Sequence, residues 1–99
     1  MSLNLHILTK LNEFFKDQPV FRAYVFGSYA RGEADEESDI DIMVELDHTT
    51  PVGLRFFRMH NELEALLKTK IDLVSADGIS QYIRPHIEAD KKLIYERPN

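Results

Sequence analysis

The feature that most constrains the fold is a strand that ends abruptly in a glycine turn. Residues 20–26 are rich in β-branched and aromatic side chains, a composition typical of a buried strand. Gly27 and Ser28 follow this run directly. Glycine permits a positive φ or a close backbone approach, and serine is a favoured N-cap, so we expect a tight turn into a short helix that begins near Tyr29.

This turn offers groups that bind phosphate. Free backbone amides at a helix start, together with the Ser28 hydroxyl, attract phosphate oxygens. A Gly-Ser pair between a strand and a helix is common in proteins, so the turn alone also fits an ordinary connection. Arg31 projects from the same turn and has two roles open to it: it could neutralise charge on a leaving phosphate, or it could form a salt bridge or face solvent.

Two carboxylates lie one residue apart at the start of the next predicted strand, residues 39–46. Strand periodicity places one set of side chains on one face and a second set on the other: Ile40, Ile42, Val44 and Leu46, against Asp39, Asp41, Met43 and Glu45. We expect the apolar face to pack and the acidic face to stay open. Neighbouring like charges repel unless solvent or cations neutralise them, and Mg²⁺ prefers such oxygen ligands. An isolated Asp-x-Asp fits a solvated edge strand, but its place downstream of the Gly-Ser turn favours a metal site.

A third carboxylate, Asp72, interrupts a short apolar run over residues 70–74. A charge inside a predicted central strand requires a partner. A nearby Lys or Arg could supply it, or Asp72 could join Asp39 and Asp41 as a third metal ligand. Three carboxylates on neighbouring strands can hold two metal ions about 4 Å apart, an arrangement that activates an attacking oxygen and stabilises a departing phosphate.

Two further segments show helical periodicity. Apolar side chains recur at helical spacing over residues 3–16 and again, at three- and four-residue steps, over residues 52–68. The second predicted helix would link the strands of Asp41 and Asp72 as a crossover unit, which makes those strands neighbours. Residues 92–96 indicate a late strand. These elements predict a small mixed α/β sheet, with helices packed mainly on one face.

The histidines do not indicate a zinc site. The four of them are scattered through different predicted elements, and none forms a ligand pair at convincing spacing. His60 lies four residues before Glu64 on a predicted helix, but this spacing alone is a weak signal for zinc. We therefore assign them no metal role.

Length and charge limit the classes of function. With 99 residues and 43% hydrophobic content, we expect one domain over residues 1–99, too small to carry a separate substrate-binding domain. A formal net charge of −5 argues against broad nucleic-acid binding, which needs Lys and Arg to displace counterions from phosphates. No membrane span is visible, and the absence of cysteine fits a reducing cytoplasm.

The order of these motifs is similar to that of one protein family. The Gly27-Ser28 turn, then Asp39 and Asp41, then Asp72 resemble the signature of the polymerase-β-type nucleotidyltransferases, specifically the small MNT (minimal nucleotidyltransferase) group. The resemblance extends over residues 20–74 and implies a polymerase-β-type core with ATP as substrate. The implied catalytic and metal ligands, for two Mg²⁺ ions, are Asp39, Asp41 and Asp72, and the implied nucleotide-binding residues are Gly27, Ser28 and Arg31.

The resemblance also implies a partner. MNT proteins resemble one half of two-gene toxin–antitoxin modules, in which the MNT protein adds AMP to a tyrosine of a helical HEPN ribonuclease toxin. We therefore expect transfer of AMP from ATP to a hydroxyl of a protein acceptor. Two alternatives stay open: transfer to a small molecule, as in the aminoglycoside nucleotidyltransferases, and a non-catalytic subunit that neutralises its partner by binding it. Homo-oligomerisation also stays open.

Overall fold

Helices and strands alternate along the part of the chain that the computed structural model describes, residues 3–98. In chain order the elements are α1 (Leu5–Phe15), β1 (Val20–Phe26), α2 (Gly27–Arg31), β2 (Ile40–Leu46), α3 (Gly53–Leu67), β3 (Ile71–Ser75), a 3₁₀ turn (Ala76–Gly78), α4 (Arg84–Asp90) and β4 (Lys92–Glu96). The strands and the two longer helices that the sequence predicts are confirmed to within one or two residues at their ends. No helix within the described range is long and apolar enough to cross a membrane.

The strands form one mixed sheet in the order β3-β2-β1-β4. β1 pairs antiparallel with β2 and with β4, whereas β2 and β3 run parallel and are joined by the predicted crossover helix, α3. The register pairs Phe26 with Asp41 and Asp41 with Asp72. The end of β1 and the two acids therefore lie side by side at one end of the sheet, and the predicted α/β class is confirmed.

One face of the sheet is covered by α1 and α3. Helical spacing brings Leu11 and Phe15 of α1, and Met59 and Leu63 of α3, to the same side of their helices, and all four are almost fully buried. They belong to a single hydrophobic cluster with the strand residues Val20, Ala23, Val25, Ile40, Ile42, Val44, Ile71 and Leu73. This cluster anchors the strands that carry the acids.

The opposite face is less open than the alternation in β2 predicts. Met43, on the same side of β2 as Asp41, is only 3% exposed. Its register partner on β1 is Tyr24, and the Lys91 ammonium lies 4.6 Å from the centre of the Tyr24 ring. Ile87 of α4 is also buried. The prediction of an open acidic face is therefore wrong at Met43, because the α4 segment covers part of that face.

Polar side chains from two helices bond the outer edges of the sheet. β3 and β4 are the edge strands. At β3, the Ile71 amide donates to Glu64 Oε2 at 3.0 Å, and the Ile71 carbonyl lies 2.7 Å from His60 Nε2. At β4, Asn12 Nδ2 donates to the Ile94 carbonyl at 2.6 Å. These bonds satisfy backbone groups that an edge strand otherwise leaves without a protein partner.

The core assignment predicts unequal effects of two leucine substitutions in α3. Leu63 is 0% exposed and Leu54 is 80% exposed. We expect Leu63→Ala to lower the free energy of unfolding by about 2–5 kcal/mol, because it removes buried contacts and leaves a cavity. Leu54→Ala should change it by no more than about 0.5 kcal/mol. Urea unfolding followed by circular dichroism measures both, and equal losses would contradict the assigned buried face of α3.

Candidate active site

The turn predicted to bind phosphate joins β1 directly to α2. The helix starts at Gly27, with Phe26 at its N-cap position and no side-chain capping bond, so the predicted Ser28 cap and the start near Tyr29 are wrong. The reason is the backbone of Gly27, whose φ of 71° turns the chain immediately after the strand. Ser28 consequently lies within the first turn of α2.

Gly27 also lies against the carboxylate of Asp41. A Cβ atom at Gly27 would overlap Asp41 Oδ2 and would lie 3.2 Å from Asp41 Cγ. Glycine is therefore required at this position both by its positive φ and by the space that the acid occupies. Sequence reasoning found the turn but missed this contact, because the contact depends on the register between β1 and β2.

The sheet brings Asp41 and Asp72 together. They are register partners in the parallel β2–β3 pair, so their side chains leave the same face of the sheet. The pKa of Asp41 is raised from 3.8 to about 6, chiefly by burial and then by the negative charges of Asp72 and Asp39 and a hydrogen bond with Asp72, whereas Arg31 opposes the shift. Ionised Asp41 is therefore disfavoured beside Asp72, and a cation placed next to the two carboxylates would remove the repulsion.

Asp39 has a different position from the other two acids. It lies immediately before β2 and is exposed, and it acts on Asp41 through its charge. Among residues 3–98, no group of three His, Asp or Glu side chains is arranged closely enough to hold a metal ion alone. Mg²⁺ usually binds one or two carboxylates together with substrate phosphates and water. The Asp41–Asp72 pair fits such an ion as a partial ligand set.

Arg31 is engaged by two acids. Its Nε donates to Glu33 Oε2 at 3.0 Å and its Nη1 donates to Asp90 Oδ2 at 2.6 Å. These hydrogen bonds, first with Glu33 and then with Asp90, raise the pKa of Arg31 above its usual value. Of the roles that the sequence leaves open, the salt bridge is the one present. The bond to Asp90 links α2 to α4, and the Arg31 charge still acts on Asp41.

An apolar cleft of about 490 Å³ borders Asp72. Its walls come from the end of β1, from α3, from β3 and from the segment through α4, and include Phe26, Phe56, Val74, Ile79, Ile83 and Ile87. Asp72 is the only charged residue among its described lining residues. A side chain that is apolar along its length and polar at its tip could enter with the tip at the acids. Sequence reasoning missed this cleft, because its walls come from segments far apart in the chain.

Comparison with known proteins assigns a class to this site. The family model described as "Polymerase beta, Nucleotidyltransferase" matches residues 9–99, a range that includes the glycine turn and the three acids. The chain belongs to this polymerase beta nucleotidyltransferase family. The resemblance noted from the Gly-Ser turn and the three acids is thereby confirmed.

The chain is also similar to individual proteins and solved structures. A Methanocaldococcus jannaschii protein, named as a predicted protein adenylyltransferase, is 44% identical over 91 residues, which is 90% of each chain. A toxin–antitoxin crystal structure with AMP-PNP superimposes with a TM-score of 0.77 at 24% identity, over 90% of this chain and 73% of that one. A complex of tri-AMPylated Shewanella oneidensis HEPN toxin with MNT antitoxin gives a TM-score of 0.68 at 22% identity, over 90% and 69%. At these identities the two structures establish the fold alone.

The overlap at Gly27 predicts a selective effect on metal binding. Gly32 has a similar φ of 73°, but a Cβ there would meet nothing within 4 Å, so Gly32→Ala carries the backbone strain without the overlap. We expect Gly27→Ala to weaken Mn²⁺ binding about 10- to 100-fold, because it displaces the Asp41 carboxylate. Gly32→Ala should leave the affinity near that of the parent. Calorimetric titration with Mn²⁺ measures both, and equal weakening would show that backbone strain is the cause.

The raised pKa of Asp41 predicts a pH-dependent effect on stability. Because the folded-state pKa is about 6 and the ordinary value is 3.8, ionised Asp41 opposes folding above pH 6, and this penalty disappears as the pH falls towards 4. In metal-free buffer we expect Asp41→Asn to melt at a higher temperature than the parent near pH 7, with the difference shrinking to near zero at about pH 4. Thermal melts in EDTA across this range measure it. A difference that grows on acidification would contradict the assignment.

Proposed function

We propose that this protein is a Mg²⁺-dependent enzyme that transfers AMP from ATP to a hydroxyl of a protein acceptor. The observation that carries the proposal is the contact of Gly27 with the carboxylate of Asp41, the register partner of Asp72, which supports a role for the turn in binding phosphate beside the two acids as metal ligands. The name of the Methanocaldococcus jannaschii relative supports adenylyl transfer to protein, and the AMP-PNP in the toxin–antitoxin structure supports ATP as the donor.

Each part of the site has a distinct task in this reaction. The amides of the first turn of α2 and the Ser28 hydroxyl hold the triphosphate. Asp39, Asp41 and Asp72 would hold two Mg²⁺ ions, which when bound would neutralise phosphate charge and lower the pKa of the attacking hydroxyl. Arg31 compensates negative charge near the leaving group, and to contact it directly it would exchange its bonds with Glu33 and Asp90.

The strand order supports a particular orientation of the two substrates around the acids. Gly27 follows β1, Asp41 is on β2 and Asp72 is on the edge strand β3, so the triphosphate and the acceptor approach the acids from opposite sides. The acceptor oxygen attacks the α-phosphorus, and its proton passes to solvent as the new O–P bond forms. The bond from the α-phosphorus to the bridging oxygen breaks, and pyrophosphate leaves with that electron pair.

We propose a tyrosine of a HEPN-type toxin as the acceptor, which makes this protein an antitoxin. The cleft beside Asp72 combines apolar walls with one carboxylate at its border, and this combination suits a phenol ring with its hydroxyl at the acids. The tri-AMPylated HEPN toxin bound to an MNT antitoxin from Shewanella oneidensis supports a toxin of this class as the partner.

Labelled ATP tests the reaction. The protein is incubated with Mg²⁺, with a HEPN-type toxin as candidate acceptor, and with ATP labelled at either the α- or the γ-phosphate. We expect the partner to acquire label from the α-position alone. Asp41→Asn and Asp72→Asn should lower the rate by at least about 100-fold, because losing a direct ligand exceeds the effect of losing an outer one. Asp17→Asn, an exposed acid outside the site, should retain the parent rate.

Other outcomes of this experiment distinguish the alternatives. Label from the γ-position would contradict nucleotidyl transfer. Tight binding of the partner without transfer, and neutralisation that survives in Asp39→Asn, would support a non-catalytic binding subunit. Transfer to an aminoglycoside, with none to the protein partner, would support a small-molecule acceptor.

A further inference from the structure

We propose that His60 and Glu64 are positioning residues for Asp72, because they bind the edge of β3 from α3 and so hold the acid pair together. The inference rests on the proposed function, in which Asp72 contributes to the metal site. Neither residue approaches the reaction itself: each acts through the backbone of Ile71, the residue that precedes Asp72 in the chain.

Both polar backbone groups of Ile71 are bonded by these two side chains. The Ile71 amide donates to Glu64 Oε2 at 3.0 Å. The Ile71 carbonyl is 2.7 Å from His60 Nε2, which therefore carries the proton and donates it. The two side chains lie one helical turn apart on α3, with His60 Nε2 3.6 Å from Glu64 Oε2. These contacts account for the His60–Glu64 spacing without a metal ion.

Nothing else in the sheet can replace these bonds. β3 has a strand on one side only, and there the Ile40 amide bonds the carbonyl of Lys70 at 3.1 Å, one residue before Ile71. In a parallel pair, bonding to the neighbouring strand alternates along the chain, so both polar groups of Ile71 point away from β2. Without His60 and Glu64, those groups would have water alone, and the start of β3 would open more easily.

The helix that carries His60 and Glu64, α3, is held in place by the hydrophobic core. Met59 and Leu63, which precede His60 and Glu64 by one residue each, are almost fully buried in the hydrophobic cluster. The helix therefore cannot shift without disturbing the core. The direction of the Asp72 side chain follows from the path of β3, and its distance from Asp41 follows from the β2–β3 pairing. Through these bonds, His60 and Glu64 hold the start of β3, and with it Asp72, in a fixed position relative to the core.

The opposite edge of the sheet offers a matched control. Asn12 of α1 donates to the Ile94 carbonyl on β4 at 2.6 Å, a bond of the same kind at a strand that carries no acid of the site. Asn12→Ala therefore weakens an edge of the sheet without affecting Asp72. Glu62 is exposed on α3, and Glu62→Ala controls for the loss of a helix glutamate.

Hydrogen exchange and metal titration together test the proposal. In the metal-free protein, His60→Ala and Glu64→Ala should speed exchange of the amides at residues 71–73 by about tenfold, whereas Asn12→Ala should act at residues 93–95. Mn²⁺ affinity, measured with a non-hydrolysable ATP analogue, should fall about tenfold or more in the first two variants. Asn12→Ala and Glu62→Ala should keep the parent affinity. Glu64→Gln retains an acceptor oxygen and should recover most of the affinity lost in Glu64→Ala.

Two results would overturn the inference. One is an equal loss of Mn²⁺ affinity in Asn12→Ala and in the β3 variants at matched melting temperatures, since the edge bonds would then act through global stability alone. The other is faster exchange at residues 71–73 with unchanged Mn²⁺ affinity. Asp72→Asn separates these failures from a failure of the proposed function. If that variant is inactive, the function stands without the positioning role; if it is fully active, the proposed site itself is wrong.

Discussion

The main constraint on this structure is a repulsive contact. The parallel pairing of β2 and β3 holds two carboxylates together. Asp41 and Asp72 are register partners, and the burial of Asp41, followed by the charges of Asp72 and Asp39, raises the pKa of Asp41 to about 6. An arrangement of this kind persists only where the surrounding structure is stable enough to enforce it. It is unfavourable for the protein alone, and the proposed metal ion would relieve it.

Several parts of the fold enforce this contact. The hydrophobic cluster under α1 and α3 fixes the strands, and Gly27 leaves space for the Asp41 carboxylate at the end of β1. The edge of β3 is bonded by α3 and that of β4 by α1, so neither edge strand depends on strand pairing alone. On the other face, the Arg31–Asp90 bond links α2 to α4, which also forms part of the cleft beside Asp72.

Periodicity and motif order predicted most of the fold from the sequence. The strands at residues 20–26 and 39–46, the crossover helix and the adjacency of Asp41 and Asp72 all follow from local patterns and the short connections between them. What could not be predicted depends on contacts distant in sequence. The burial of Met43 requires the α4 segment, the start of α2 requires the backbone of Gly27, and the bonds from His60 and Glu64 to Ile71 require the packing of α3.

We propose that the glycine turn and the acid pair form one nucleotide–metal site. The most direct test of this proposal is the anomalous scattering of a crystal grown with Mn²⁺ and a non-hydrolysable ATP analogue. We expect Mn²⁺ bound to both Asp41 and Asp72, with the triphosphate between the bound Mn²⁺ and the first turn of α2. Mn²⁺ bound elsewhere, or a triphosphate away from Gly27, would contradict it.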